Sequence, residues 1–461
     1  MDDLIYQSAT TIAGAIRDKQ VSSEEVVNAC LARIEEVNPK LNAVVQLVAD
    51  RALDEARAAD AALARGQING PLHGVPMTIK DSFDTAGIIS TGGTKGRADF
   101  IPEQDAVVVS RLRAAGAILM GKTNTPELTL GIETDNLVYG RTNNPYDLSR
   151  TSGGSSGGAV AIVASGGAPF DIGTDTGGSI RAPAHFCGVA GIRPTSGRVP
   201  RTGHIINYEM GAFDSWTQIG PIARYVEDLT LILSIIAGPD WRDPAIVPMP
   251  LGDPGSVDLK SLRVAYHTDN GVVSPTPEIA AVVRSAATAL ADHGLAVTED
   301  RPAVIEQAGG MWMRLAQADG AAWTERLLQK AGTTEPFPPM AERFLGRDPL
   351  PAPELTALLA EWDRFRSAML SFLENYDLIL CPVNAYPALK HGGTVDKSLA
   401  FSYTRVFNLT GWPGAVVRGG TSPEGLPIGV QVVARPWCED VALAVAQTLE
   451  TALGGWQPPP L

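Results

Sequence analysis

The sequence predicts an α/β fold built on one mixed β-sheet, and three observations carry that prediction. First, helical and extended patterns alternate. Residues 106–124 read as helix then strand, and RVAYHTD after Leu262, the helix Glu278–His293 and the run LAVTED read as strand, helix and strand. Second, short apolar runs bounded by turn residues mark buried strands: YDLILC at 376–381, and a hairpin-like pair, Ala415–Arg418 and Leu426–Ala434, around Pro423-Glu424-Gly425. Third, the chain has 461 residues, 44% hydrophobic and 19% charged, enough to build a large core.

Residues 1–65 read as helical. Ser22 and Glu25 have capping-box spacing, Val26, Cys30 and Ile34 then recur on one helical face, and Ala52–Arg65 suits a second helix. At Gly70 the texture changes to a β-prone run, Val75–Ile79, ending in Lys80-Asp81. Residues 128–149 are loop-like, with a turn at Asn143-Asn144-Pro145, and Tyr139 is a candidate to line a pocket. Val226–Ala237 is a helix stopped by Gly238-Pro239. Residues 240–260 form a loop. Residues 305–373 are helical, divided at Phe337-Pro338-Pro339, and carry Trp312, Trp323 and Trp362. With the loop and helix that follow, 305–412 is the expected substrate-facing cap. The last helix is Glu439–Leu453.

A net charge of −14 argues against a general nucleic-acid or anionic-membrane surface. Four scattered cysteines, with no CxxC pair, suggest neither a zinc site nor a disulfide framework. No secretion signal and no apolar run of bilayer-spanning length is evident, so a cytoplasmic location is expected. No cofactor and no metal are expected.

The most informative stretch is Arg150–Thr195, with two glycine-rich clusters, Ser152–Gly158 and Gly173–Ser179. So many glycines raise the entropy cost of ordering, and they are useful where amide N–H groups must approach something closely. Two such turns, each presenting a serine, read as an active site made from hydroxyls and backbone amides. Ser179 follows Thr176-Gly177-Gly178, whose unhindered amides, with that of Ser179, can converge on one oxyanion, so Ser179 is the expected nucleophile. Asp175 and Arg181 flank the turn as supporting residues. The six histidines (73, 185, 204, 267, 293 and 391) lie in no hydrolase context, and His73 is expected to be structural. Lys80, at the end of an apolar strand, is the candidate base, since burial lowers a lysine pKa.

GGSSGG, GTDTGGSIRAP and FCGVAGIRPT, with G-V-P-x-x-I-K-D around Lys80, resemble the amidase signature family of serine hydrolases. The likeness is strong over roughly residues 60 to 240 and weaker beyond. It implies one α/β domain over 1–461, with a signature core at 70–240 and a mixed, mostly parallel sheet covered by helices on both faces. It implies a Ser-cisSer-Lys triad of Lys80, Ser155 as relay and Ser179, with a cis Gly154–Ser155 peptide and Ser156 as a supporting hydroxyl. The implied reaction is carbon–nitrogen bond hydrolysis in a small amide or carbamate, with esters also cleaved, by a monomer or homodimer. The alternative is a glutamine amidase subunit of a tRNA-dependent amidotransferase.

Gly116–Thr123 satisfies the P-loop pattern, yet the cradle it offers is Ala-Ile-Leu-Met, which reads as the strand itself. The family has a GA-apolar-GKTN-x-x-E segment here, which Glu127 completes, so nucleotide binding is not expected.

Overall fold

Apolar strands of four to eight residues meet in two sheets. The computed structural model describes residues 2–208 and 211–461, so Met1 of the helical N-terminal part and Glu209 and Met210 of the signature core lie outside the described residues. Strands β1 (Val44–Leu47), β2 (Pro76–Lys80) and β3 (Ile118–Thr123) form a small sheet in the order β1-β3-β2. The eight-stranded sheet comprises β4 (Phe170–Asp175), β5 (Ala190–Arg193), β6 (Gln218–Ala223), β7 (Arg263–Tyr266), β8 (Ala296–Glu299), β9 (Leu378–Pro382), β10 (Gly414–Thr421) and β11 (Pro427–Ala434). Its order is β8-β7-β9-β11-β10-β5-β6-β4. Apart from these, Asn143–Asn144 and Asp147–Thr151 pair as a short polar hairpin.

The large sheet is mixed, as expected, but it is not mostly parallel. Only β8/β7 and β7/β9 are parallel, and the other five neighbouring pairs are antiparallel. Chain connections explain the difference. The helix Pro277–Asp292 supplies the long crossover a parallel pair requires, between β7 and β8. The tight return at Pro423–Gly425 forces β10 and β11 to run antiparallel.

Strand alternation divides the interior between two cores. Val264, Leu378, Leu380 and Val432 join the larger cluster, with the helices Pro277–Asp292 and Glu439–Leu453. Ala265, Ile379, Cys381 and Val433 join the second, with helices from 308 to 410. Helices therefore cover both faces.

The capping box at Ser22 and Glu25 is present and starts the helix Ser23–Leu41, whose Val26, Cys30 and Ile34 are buried. The expected second helix is Ala49–Ala64. Between them lies β1, which the wholly helical reading of 1–65 did not contain; four residues are too few to show a period. Within 305–373 the helices part at Phe337-Pro338-Pro339 as expected: one ends at Ala331, and Pro338 and Pro339 open the next, Pro338–Phe344, where their missing N–H groups cost nothing. No helix among the described residues is long and apolar enough to cross a membrane.

The two sheets meet at one edge. Thr78 on β2 and Thr123 on β3 donate hydroxyl hydrogen bonds to Asp171 on β4, at 2.7 and 3.0 Å. This tie brings the ends of β2 and β4, Lys80 and Thr174, into contact.

Candidate active site

Lys80 is fully buried at the end of β2. Its Nζ hydrogen-bonds Ser155 Oγ at 2.7 Å, Thr174 Oγ1 at 2.9 Å and Ser156 Oγ at 3.1 Å. These three partners are hydroxyls, and none carries a charge. Burial is the largest influence on this amine and holds it well below the ordinary lysine range, against the opposing charges of Asp171 and Asp175. Asp171 is itself buried and pushed up to about 6, chiefly by desolvation.

The first glycine-rich cluster runs into the helix Gly157–Ala164, every residue of which is buried. The Gly154–Ser155 peptide is cis. Gly154 packs so tightly on the loop 131–133 that a Cβ there would lie 2.8 Å from Gly131 O and Glu133 N. Ser155 is buried, and Ser156, at the N-cap position of the helix, accepts from Lys80.

The second cluster leaves β4 and turns into the helix Arg181–Cys187. The Ser156 amide donates to Ser179 O at 3.2 Å, so the clusters lie back to back. Ser179 is half-buried and lines a pocket with Thr176 and Gly177.

Asp175 shapes this turn. Its carboxylate accepts from the amides of Gly178 (2.8 Å) and Ile180 (3.1 Å), from Arg181 Nε (3.0 Å) and Nη2 (2.9 Å), and from Asn408 Nδ2 (2.9 Å). Burial pushes Asp175 up, but Arg181, Arg193 and Asn408 outweigh it and hold the carboxyl well below its usual range. Arg181 also donates to Gln431 Oε1 and Asn408 Oδ1, at 2.7 and 2.6 Å. Asp175→Ala leaves the Arg181 charge buried without its acid, and is expected to cost about 3–5 kcal/mol in urea denaturation.

This hydrogen bonding changes the expected set of amide donors. The Gly178 N–H is committed to Asp175, and Gly178 does not line the pocket. Its requirement is conformational: φ is +115°, and a Cβ would overlap Thr404 Oγ1. The amides of Thr176, Gly177 and Ser179 have no acceptor among the described residues.

Several expectations fall elsewhere. Tyr139 is not in the pocket; its hydroxyl accepts from Gln46 and its carbonyl from Asn42, while Leu130, Gly131 and Ile132 of the same loop do line it. His73 accepts from the Asn69 amide and donates to Ala59 O, so it is structural. The P-loop look-alike is strand β3, and Lys122 is buried against Phe83 O, Thr85 and Ser90. Trp312, Trp323, Phe344 and Arg405, all within 305–412, line the same pocket as Ser179. Trp362 is instead in the core, its indole donating to Leu409 O. Thr174, Asn408 and Gln431 carry no signal in the sequence; each is one polar residue in an otherwise ordinary element.

The family model for amidases matches residues 25–443. A glutamyl-tRNA(Gln) amidotransferase subunit of Moorella thermoacetica is 36% identical, covering 97% of each chain. An acylamidase of Rhodococcus erythropolis is 34% identical, covering 97% of this chain and 96% of its own. The solved structure of 6-aminohexanoate cyclic dimer hydrolase, complexed with substrate, matches with a TM-score of 0.86 at 30% identity over 97% of each chain. Sequence match, fold and site geometry agree: the chain belongs to the amidase signature family, enzymes that hydrolyse amide bonds.

Proposed function

We propose that this enzyme hydrolyses a small amide through Ser179, Ser155 and Lys80, by way of an acyl-enzyme, with carbamates and esters as related substrates. The observation that carries the reading is the 2.7 Å contact between the buried Lys80 amine and Ser155, next in the chain to Ser156, whose amide donates to the carbonyl of the half-buried Ser179. Neutral Lys80 takes the Ser155 proton as Ser155 takes that of Ser179, and Ser179 Oγ bonds to the carbonyl carbon. The carbonyl oxygen becomes an oxyanion held by the amides of Thr176, Gly177 and Ser179. As the C–N bond breaks, the relay returns the proton to the leaving nitrogen. Water then enters, gives its proton to the same relay and releases the acid.

A second reading, glutamine hydrolysis within a tRNA-dependent amidotransferase, is supported by the relative from Moorella thermoacetica. Glutamine carries an ammonium group, which calls for an acidic partner. The described residues lining the pocket beside Ser179 include no Asp or Glu for that ammonium group, which favours another small amide as the substrate. The test is to incubate the purified chain, without partners, with an anilide, a primary alkyl amide, an aryl carbamate and a nitrophenyl ester. Turnover of at least one nitrogen-linked substrate is expected. If all four are inert, and glutamine is hydrolysed only once partner proteins are added, the amidotransferase reading replaces ours.

A further inference from the structure

The pocket that Ser179 lines carries two arginines with no acid. Arg405 is 2% exposed. Its Nη1 donates to Ser398 O at 2.9 Å, its Nη2 has no partner among the described residues, and its guanidinium lies 4.8 Å from the Trp312 ring centre. Arg343, half-buried, stands 6.0 Å from the same ring. Neither has a carboxylate within 4.0 Å among the described residues, and burial and the nearby Arg343 both disfavour the charge on Arg405.

This is unlike the other fully buried arginines. Arg181 pairs with Asp175, Arg198 with Glu439, and Arg201 with Asp243. Arg224 donates to four carbonyl oxygens, and Arg193 to carbonyls that include Trp412 O and Trp216 O. The acids of the adjoining outer groove are already engaged. Glu127 accepts from Thr94 and the Phe337 amide, Glu133 from Gly392 and Thr394, and Asp135 pairs with Arg141. Glu342 is exposed. A buried guanidinium without an anion is costly, and here the open space before it is the substrate pocket.

Resting on the reading of Ser179 as the nucleophile, we propose that the substrate is an amide bearing a carboxylate, which Arg405 and Arg343 bind. Arginine presents a planar fork of donors that a carboxylate oxygen pair matches. Arg405 packs beside the turn expected to hold the oxyanion: a Cβ on Gly177 would lie 3.6 Å from Arg405 Cγ. The indole of Trp312 and the ring of Phe344 line the same pocket and suit a short apolar spacer.

The test compares charged and neutral partners of one shape. Glutaranilate against valeranilide places the carboxylate on the acyl side, and N-valerylglycine against N-valerylethylamine places it on the amine side. In wild type, kcat/KM for the charged member of one pair is expected to exceed that of the neutral member by about ten- to a hundredfold, mainly through KM. The pair that shows it identifies the side. In Arg405→Gln and Arg343→Leu the ratio is expected to fall at least about tenfold. Using a ratio removes any common loss from imperfect folding. Free glutarate should also inhibit wild-type hydrolysis of valeranilide competitively. A wild-type ratio near one in both pairs, a ratio that survives both substitutions, or no inhibition by glutarate overturns the proposal. None of those outcomes touches the nucleophile, whose failure would appear as undiminished hydrolysis by Ser179→Ala.

Discussion

Ser179→Ala is expected to lower kcat by about a thousand- to a millionfold on any amide the enzyme accepts, with KM little changed. The hydroxyl supplies the atom that bonds to substrate, and Ser179 is the only serine among the described residues lining the pocket beside the three unengaged amides. What survives is the effect of those amides and of binding. Ser155→Ala should lose almost as much, because relay and nucleophile act as a unit, and the double variant should be scarcely worse than either single one. Both single variants should fold, since a buried Ser to Ala change removes one small polar atom. The measurement is kcat and KM for one anilide across the three variants, with circular dichroism to confirm the fold. A Ser179→Ala enzyme within about tenfold of wild type would remove Ser179 as nucleophile, and strictly additive losses would remove the relay.

The candidate site was legible where chemistry is written locally. Ser155, Ser156, Asp175, Ser179 and Arg181 lie in one dense stretch, and Lys80 ends a short apolar run, so residue type and burial could be inferred together. Thr174 was missed although it touches Lys80, because a threonine on a strand is ordinary and its contact spans 94 residues. Asn408 and Gln431 reach Arg181 across 227 and 250 residues, and nothing in their neighbourhoods marks them. Gly178 shows a subtler limit. Its place in the TGGS turn suggested a free amide, but which N–H faces the pocket depends on where the Asp175 carboxylate sits. The polarity of the sheet failed for a related reason. Strand runs are visible in a sequence, whereas the direction in which distant strands pair is set by connections that only the fold reveals.

Lys80 carries the second large effect, and its sign can be worked out. The folded-state pKa lies below that of an exposed lysine because burial disfavours the ammonium. Only the neutral amine can accept a proton, so kcat/KM should rise with pH through the folded-state pKa and then level off. Lys80→Arg should be inactive across that range, since guanidinium does not deprotonate, and Lys80→Met should lose about a thousandfold or more in kcat. Stability should rise with pH as well. Between the folded-state pKa and about 10.4, the unfolded chain holds a proton on this lysine that the folded chain does not. Wild-type stability on this account therefore increases with pH across that window, and burying this amine costs stability at pH values below it. Methionine has no proton to lose, fills similar volume and leaves three hydroxyls, Ser155, Ser156 and Thr174, able to bond one another. Lys80→Met is thus expected to melt no lower than wild type near neutral pH, with a shallower rise in Tm toward alkaline pH. Thermal melts of both proteins over a pH series, beside the pH–rate profile, decide it. A melting point well below wild type would show that the lysine is held for its hydrogen bonds, charged and structural, and the relay would then need another base.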